Sequence, residues 1–127
     1  LIVLDASAVI SALLNAGPAR HIAESEQLHA PHLVDSEVAN GLRRLVRSGR
    51  LRPEQGWEAL NTLRRLGMTR YAVSPLIDRV WELRDTLSAY DASYVALAEA
   101  LQCNLVTADD RLARASDLQS PVIVVPR

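Results

Sequence analysis

A chain of 127 residues with 49% hydrophobic content is one domain long and has enough apolar surface to build a core without structural metal or disulfides. Its net charge of −1 rules out a strongly basic polyanion binder, and its single cysteine, Cys103, excludes an internal disulfide. All 14 basic residues are arginine, so any chemistry that needs a lysine is excluded as well.

The opening run Leu1-Ile2-Val3-Leu4 reads as a short buried strand that ends at Asp5. It is too short for a signal-peptide core, and no later stretch approaches a membrane span, so a cytoplasmic setting without membrane contact is expected. Ala6 to Leu14 reads as a helix stopped by Asn15-Ala16-Gly17, and Pro18 suits the first turn of a second helix through about Glu24. Gln27 to Ala30 is a strand closed by Pro31. From Leu33 to Arg47 the positions Val34, Val38, Leu42, Leu45 and Val46 recur at helical spacing, with Ser48-Gly49 as the stop. On that helix Glu37, Asn40 and Gly41 share a face.

A helix is expected from Pro53 to Leu66, a strand over Met68 to Val73, and a helix from Pro75 to Leu87 with Leu76, Val80, Leu83 and Leu87 inward. A further helix runs from Asp91 to Gln102, with Cys103 placed in its apolar stretch. The chain then gives a strand ending at Thr107, a short helix over Asp110 to Ala115, and a last strand over Val122 to Val125. Short apolar strands alternating with helices predict an α/β domain whose parallel sheet is covered on both faces.

Asp5 and Asp109 follow strand ends, and Glu37 and Asp91 lie in early turns of helices. Each has an ordinary explanation as a helix cap or a first-turn acid. Ligands in an open α/β sheet bind beyond the carboxyl ends of the strands, so these four acids can converge there. Crowded carboxylates repel one another unless some are protonated or a cation sits among them, and a divalent metal answers that need. Either Asp109 or Asp110 can cap the short helix, and spacing from the strand end favours Asp109 for the crevice. Arg43, Arg44, Arg47, Arg50 and Arg52 form a run without an acid, which reads either as a solvated face or as a surface for phosphates.

The segments Leu4-Asp5-Ala6-Ser7-Ala8, Ser36-Glu37-Val38-Ala39-Asn40, Tyr90-Asp91-Ala92-Ser93-Tyr94-Val95-Ala96-Leu97-Ala98 and Leu105-Val106-Thr107-Ala108-Asp109-Asp110-Arg111-Leu112, in this order, resemble the PIN domain. In particular they resemble the VapC toxins of bacterial type II toxin-antitoxin pairs. The resemblance covers residues 1–127 as one domain and implies an α/β/α sandwich. It further implies a Mg²⁺- or Mn²⁺-dependent endoribonuclease, with Asp5, Glu37, Asp91 and Asp109 as the metal-binding catalytic acids and Ser7, Asn40 and Thr107 as their polar supports. RNA as substrate, 5′-phosphate products, a homodimer and a cognate VapB-like antitoxin are implied with it. Arg43, Arg44, Arg47 and Arg50 are then the RNA-binding candidates. The alternative is a catalytically inactive PIN-like module that binds RNA or protein, its acids serving only as caps.

Other sites on a parallel sheet fit less well. Receiver domains and haloacid-dehalogenase-type phosphatases use a lysine that is absent here, and a P-loop has no Gly-Lys-Ser/Thr segment. His29-Ala30-Pro31-His32 offers two imidazoles, but the proline breaks helical spacing and no cysteine partner is near, so a strand-to-helix connection is expected rather than a zinc site.

Overall fold

The structure, a computed structural model, describes residues 1–127. Five parallel strands run in the order β3-β2-β1-β4-β5, with β1 at Ile2–Leu4, β2 at Leu28–Pro31, β3 at Thr69–Tyr71, β4 at Asn104–Thr107 and β5 at Val122–Val124. In register, Ile2, Val3 and Leu4 pair with Asn104, Leu105 and Val106, while Ile2 and Val3 also pair with Leu28 and His29. All three β1 residues are buried although successive side chains point to opposite faces, so the central strand is covered on both sides. One layer holds α1 (Ala6–Leu14), α2 (Pro18–Ser25), α3 (Val34–Arg47) and α4 (Pro53–Arg64), and the other holds α5 (Ile77–Glu82) and α6 (Ala89–Leu101). A short α7 (Asp110–Ala113) packs near β5. The architecture is the expected α/β/α sandwich.

The two helices that touch β1 and β4 show why the layers form. From α1, Ala8, Val9 and Ala12 enter the core. From α6, every residue from Ala92 to Ala98 is buried, as befits a helix wedged between the sheet and α5. Alanines at Ala92, Ala96 and Ala98 leave room for those close contacts.

Several boundaries differ from expectation for local reasons. The segment expected to be one helix over Pro75–Leu87 divides into a 3-10 turn at Ser74–Leu76, then α5, then turns through Leu87. The Leu83 carbonyl accepts from both Thr86 and Leu87 N–H groups, which tightens the chain out of the helix, while Val80 and Leu83 stay buried as anticipated. The β3 strand is limited to Thr69–Tyr71 because it is an edge strand paired with β2 alone. Helix α6 begins at Ala89, not at Asp91: the Ser88 hydroxyl caps it by accepting from the Asp91 N–H, at 3.2 Å. At its other end Gln102 adopts the left-handed conformation, φ 54°, so Cys103 lies in the connection to β4 rather than in the helix.

Topology places the site. The chain builds β1, β2 and β3 outward in one direction, then returns through α5 and α6 to add β4 on the other side of β1. The crevice beyond the carboxyl ends of β1 and β4 is therefore the switch point of the sheet.

Candidate active site

At the end of β1, Asp5 caps α1, its Oδ1 accepting from the Ala8 N–H at 2.9 Å. The Ser7 hydroxyl donates to the same oxygen at 2.6 Å, and the Thr107 hydroxyl donates to Oδ2. Both hydroxyls are oriented from behind: Ala108 N–H donates to Ser7 Oγ at 2.9 Å, and Asp109 N–H donates to Thr107 Oγ1 at 3.0 Å. Each hydroxyl has a single proton, and here both protons point at the carboxylate. This arrangement suits an ionised Asp5 that is only 6% exposed, and it leaves Oδ2 room for a further partner. The cap and the candidate ligand are thus the same residue. The network also ties the end of β1 to the end of β4.

Glu37 sits in the first turn of α3, and the phenol of the buried Tyr94 on α6 donates to its Oε1 at 2.7 Å. Asp91 lies in the first turn of α6. Asp109 caps α7, and its neighbour Arg111 grips the carboxylate, with Nη2 2.7 Å from Oδ2 and Nε 3.1 Å from Oδ1. Asp110 is exposed and faces Arg114 at 3.4 Å, outside the crevice. The geometry therefore selects Asp109 over Asp110 as the pocket acid.

Asp5, Glu37, Asp91 and Asp109 line one pocket of about 810 Å³. Ser7, Asn40 and Gly41 line it too, so the helical face inferred for Glu37, Asn40 and Gly41 is the one turned to the crevice. Thr107 is fully buried behind Asp5 and acts on it from beneath. Of the arginine run, Arg44 and Arg50 reach the pocket, whereas Arg43 and Arg47 are exposed and do not line it. Arg111 and Arg127 complete four guanidiniums around four carboxylates, and neither was a candidate from sequence. Arg111 stands two residues from Asp109 in a solvent-facing helix, which is a signal that spacing carried. Arg127 is brought in by the tail, whose Pro126 carbonyl accepts from the Ser11 hydroxyl at 2.6 Å, and no local pattern foretells that contact. Tyr94 is a core residue whose hydroxyl orients Glu37.

Burial raises the affinity of Asp5, Glu37 and Asp91 for a proton above that of ordinary carboxylates, and the acids reinforce the effect on one another, Asp91 acting on Asp5 and Glu37 and Asp109 acting on Asp91. Asp109 shifts the other way because the Arg111 guanidinium stabilises its charge. The Tyr94 phenol, buried and bound to Glu37, stays protonated and is fixed as a donor. No three acid, imidazole or thiol side chains close into a ligand cage. Mg²⁺ keeps several waters and is held by one or two carboxylates rather than by an all-protein cage, so these hard oxygen donors fit a hydrated ion of that kind. The imidazole of His29 bonds the Tyr71 hydroxyl at 2.7 Å within the sheet and takes no part in the crevice.

Comparison with known proteins identifies the family. Residues 2–118 match the PIN domain family. The chain is 60% identical over 127 residues to ribonuclease VapC9 of Mycobacterium tuberculosis, covering 100% of both. It is 43% identical over 128 residues to ribonuclease VapC1 of the same species, covering 97% of this chain and 96% of that one. Among solved structures, PAE2754 from Pyrobaculum aerophilum superposes with a TM-score of 0.72 at 24% identity, covering 97% of this chain and 83% of the other, which shows a shared fold. With its ordered acids meeting at the switch point and its full-length similarity to two VapC ribonucleases, the chain belongs to the PIN-domain family, in its VapC branch.

Proposed function

We propose that this protein is a divalent-metal-dependent endoribonuclease toxin that hydrolyses RNA phosphodiester bonds and is neutralised by a cognate VapB-like antitoxin. The observation that carries the reading is the convergence of Asp5, Glu37, Asp91 and Asp109, from four separate elements, on one pocket ringed by arginines. Kinship with ribonucleases named VapC supports the same conclusion.

In this reading Asp5, Glu37 and Asp91 hold Mg²⁺ or Mn²⁺ directly or through water, and Asp109 serves a second ion or positions water. When bound, such an ion supplies Lewis acidity, easing loss of a proton from water and offsetting charge on the phosphodiester. The chain's own work is to aim the acids. Ser7 and Thr107 hold Asp5, Tyr94 holds Glu37, and Asn40 offers an amide on the same wall. Arg44 and Arg50 bind flanking phosphates, and Arg43 and Arg47 extend that basic surface along α3. Ile10, Leu14 and Leu45, which also line the pocket, give the antitoxin an apolar footing. No helix is long and apolar enough to cross a membrane. A cytoplasmic homodimer acting on RNA completes the proposal.

Cleavage of end-labelled total RNA by purified, antitoxin-free protein tests it, with Mg²⁺, Mn²⁺ or EDTA, and with Asp5→Asn. Discrete cuts bearing 5′-phosphate, lost with chelator and in a folded Asp5→Asn variant, are the expected result. Absence of metal-dependent cleavage from folded wild-type protein would overturn the reading in favour of a binding module.

A further inference from the structure

Among the pocket acids, Asp109 alone is paired with an arginine; Asp5, Glu37 and Asp91 have no such ion pair. Arg111 engages both carboxylate oxygens through its side chain, and its own backbone N–H donates to Oδ1 at 3.0 Å. The fork is well formed, yet the Arg111 side chain is 78% exposed and no packing locks it in place. The pair is open to solvent on its guanidinium side, while the Asp109 side chain is 20% exposed, so solvent screens the arginine more than the carboxylate. Arg111 itself lines the pocket that holds the acids.

We infer that Arg111 is a resident counter-ion of Asp109, exchanged for the divalent ion when the site loads and then free to take a phosphate oxygen of the RNA backbone. It is a positioning residue: it keeps the Asp109 carboxylate turned into the crevice while no ion holds it, and it competes with the ion for that carboxylate. The inference rests on the metal-dependent ribonuclease reading.

Calorimetric titration of the full chain with Mn²⁺, without RNA, tests the exchange. Arg111→Ala is expected to bind Mn²⁺ about three- to ten-fold more tightly than wild type, the size expected for removing one competing, solvent-exposed ion pair. Arg111→Lys, which keeps the charge but loses the fork, should fall between them. The gain should vanish in the Asp109→Asn background. At saturating Mn²⁺, Arg111→Ala should raise KM for RNA several-fold with a smaller change in kcat. Wild-type and Arg111→Ala proteins with equal Mn²⁺ affinity would overturn the counter-ion role while leaving the ribonuclease reading intact. An unchanged KM would overturn the phosphate role. A wild-type protein that neither binds Mn²⁺ nor cleaves RNA would overturn both readings.

Discussion

The carboxylate of Asp5 joins two jobs that are usually assigned to different residues. As a cap it accepts the Ala8 N–H, and as a buried acid it accepts from the hydroxyls of Ser7 and Thr107. Thr107 contributes most from the least visible place, since it is fully buried and both donates to Asp5 and accepts from Asp109 N–H. Thr107→Val keeps the shape and removes both bonds. The expected outcome is a loss of about 1–3 kcal/mol in stability, read by urea unfolding, because a buried carboxylate and a backbone donor are left short of partners. Metal-dependent cleavage should also begin at higher pH than in wild type, since Asp5 ionises less readily without that donor. Thr107→Ser, which retains the hydroxyl, should restore the pH profile. A wild-type profile in Thr107→Val would remove Thr107 from the site.

At the scale of elements, the distance between the walls of the crevice is set by the contact of α1 with α3. Gly41 is buried at that crossing, and a Cβ built there would run into Ile10 Cδ1. The obstacle is the tip of a flexible side chain, so Gly41→Ala should be near neutral, its clash offset by a gain in helix propensity of about 0.8–1.0 kcal/mol. Gly41→Val adds two branches that Ile10 cannot avoid, and it should cost about 1–3 kcal/mol by overpacking. Because Asp5 precedes α1 and Glu37 lies on α3, that variant should also lose more cleavage than Gly41→Ala. Thermal unfolding and RNA cleavage on the two variants check both statements. Equal behaviour would mean that the helices yield at no cost.

For the whole molecule, the clustered acids make stability depend on pH and metal together. Asp5, Glu37 and Asp91 bind protons more tightly in the fold than their ordinary values of 3.8, 4.5 and 3.8 allow, chiefly because burial disfavours their charge. Above those ordinary values the folded protein holds protons that the unfolded chain has released, so the metal-free protein should lose stability as pH rises through the raised folded values. Asp109 acts in the opposite sense, but only below 3.8, where its lowered affinity for protons matters. A bound divalent ion holds the acids ionised and stabilises the fold more as pH increases. Calorimetric scans between about pH 5 and about pH 8, with EDTA or Mn²⁺, should show a stabilising effect of Mn²⁺ that grows with pH. An effect independent of pH would separate the ion from these carboxylates.

Hydrophobic period and punctuation were enough to place all five strands and most helices, because short apolar runs between caps, prolines and glycines are dictated by local burial and local backbone geometry. The four acids were legible for the same reason, each lying at the end of a strand or in the first turn of a helix. Local pattern is insufficient where a distant partner decides the outcome. Helix α5 was shortened by hydrogen bonds around Leu83, and β3 by its place at the sheet edge. Sequence favours Asp109 over Asp110 only by its spacing from the strand end, since either residue can cap a helix; the tertiary fold turns one into the crevice and the other toward Arg114. Tyr94 on Glu37 and Thr107 beneath Asp5 are contacts across 57 and 102 residues, and Arg127 reaches the same pocket from the far end of the chain. Chemistry carried by a residue type at an element boundary is written locally. The partners that orient it are chosen by topology, which no local pattern contains.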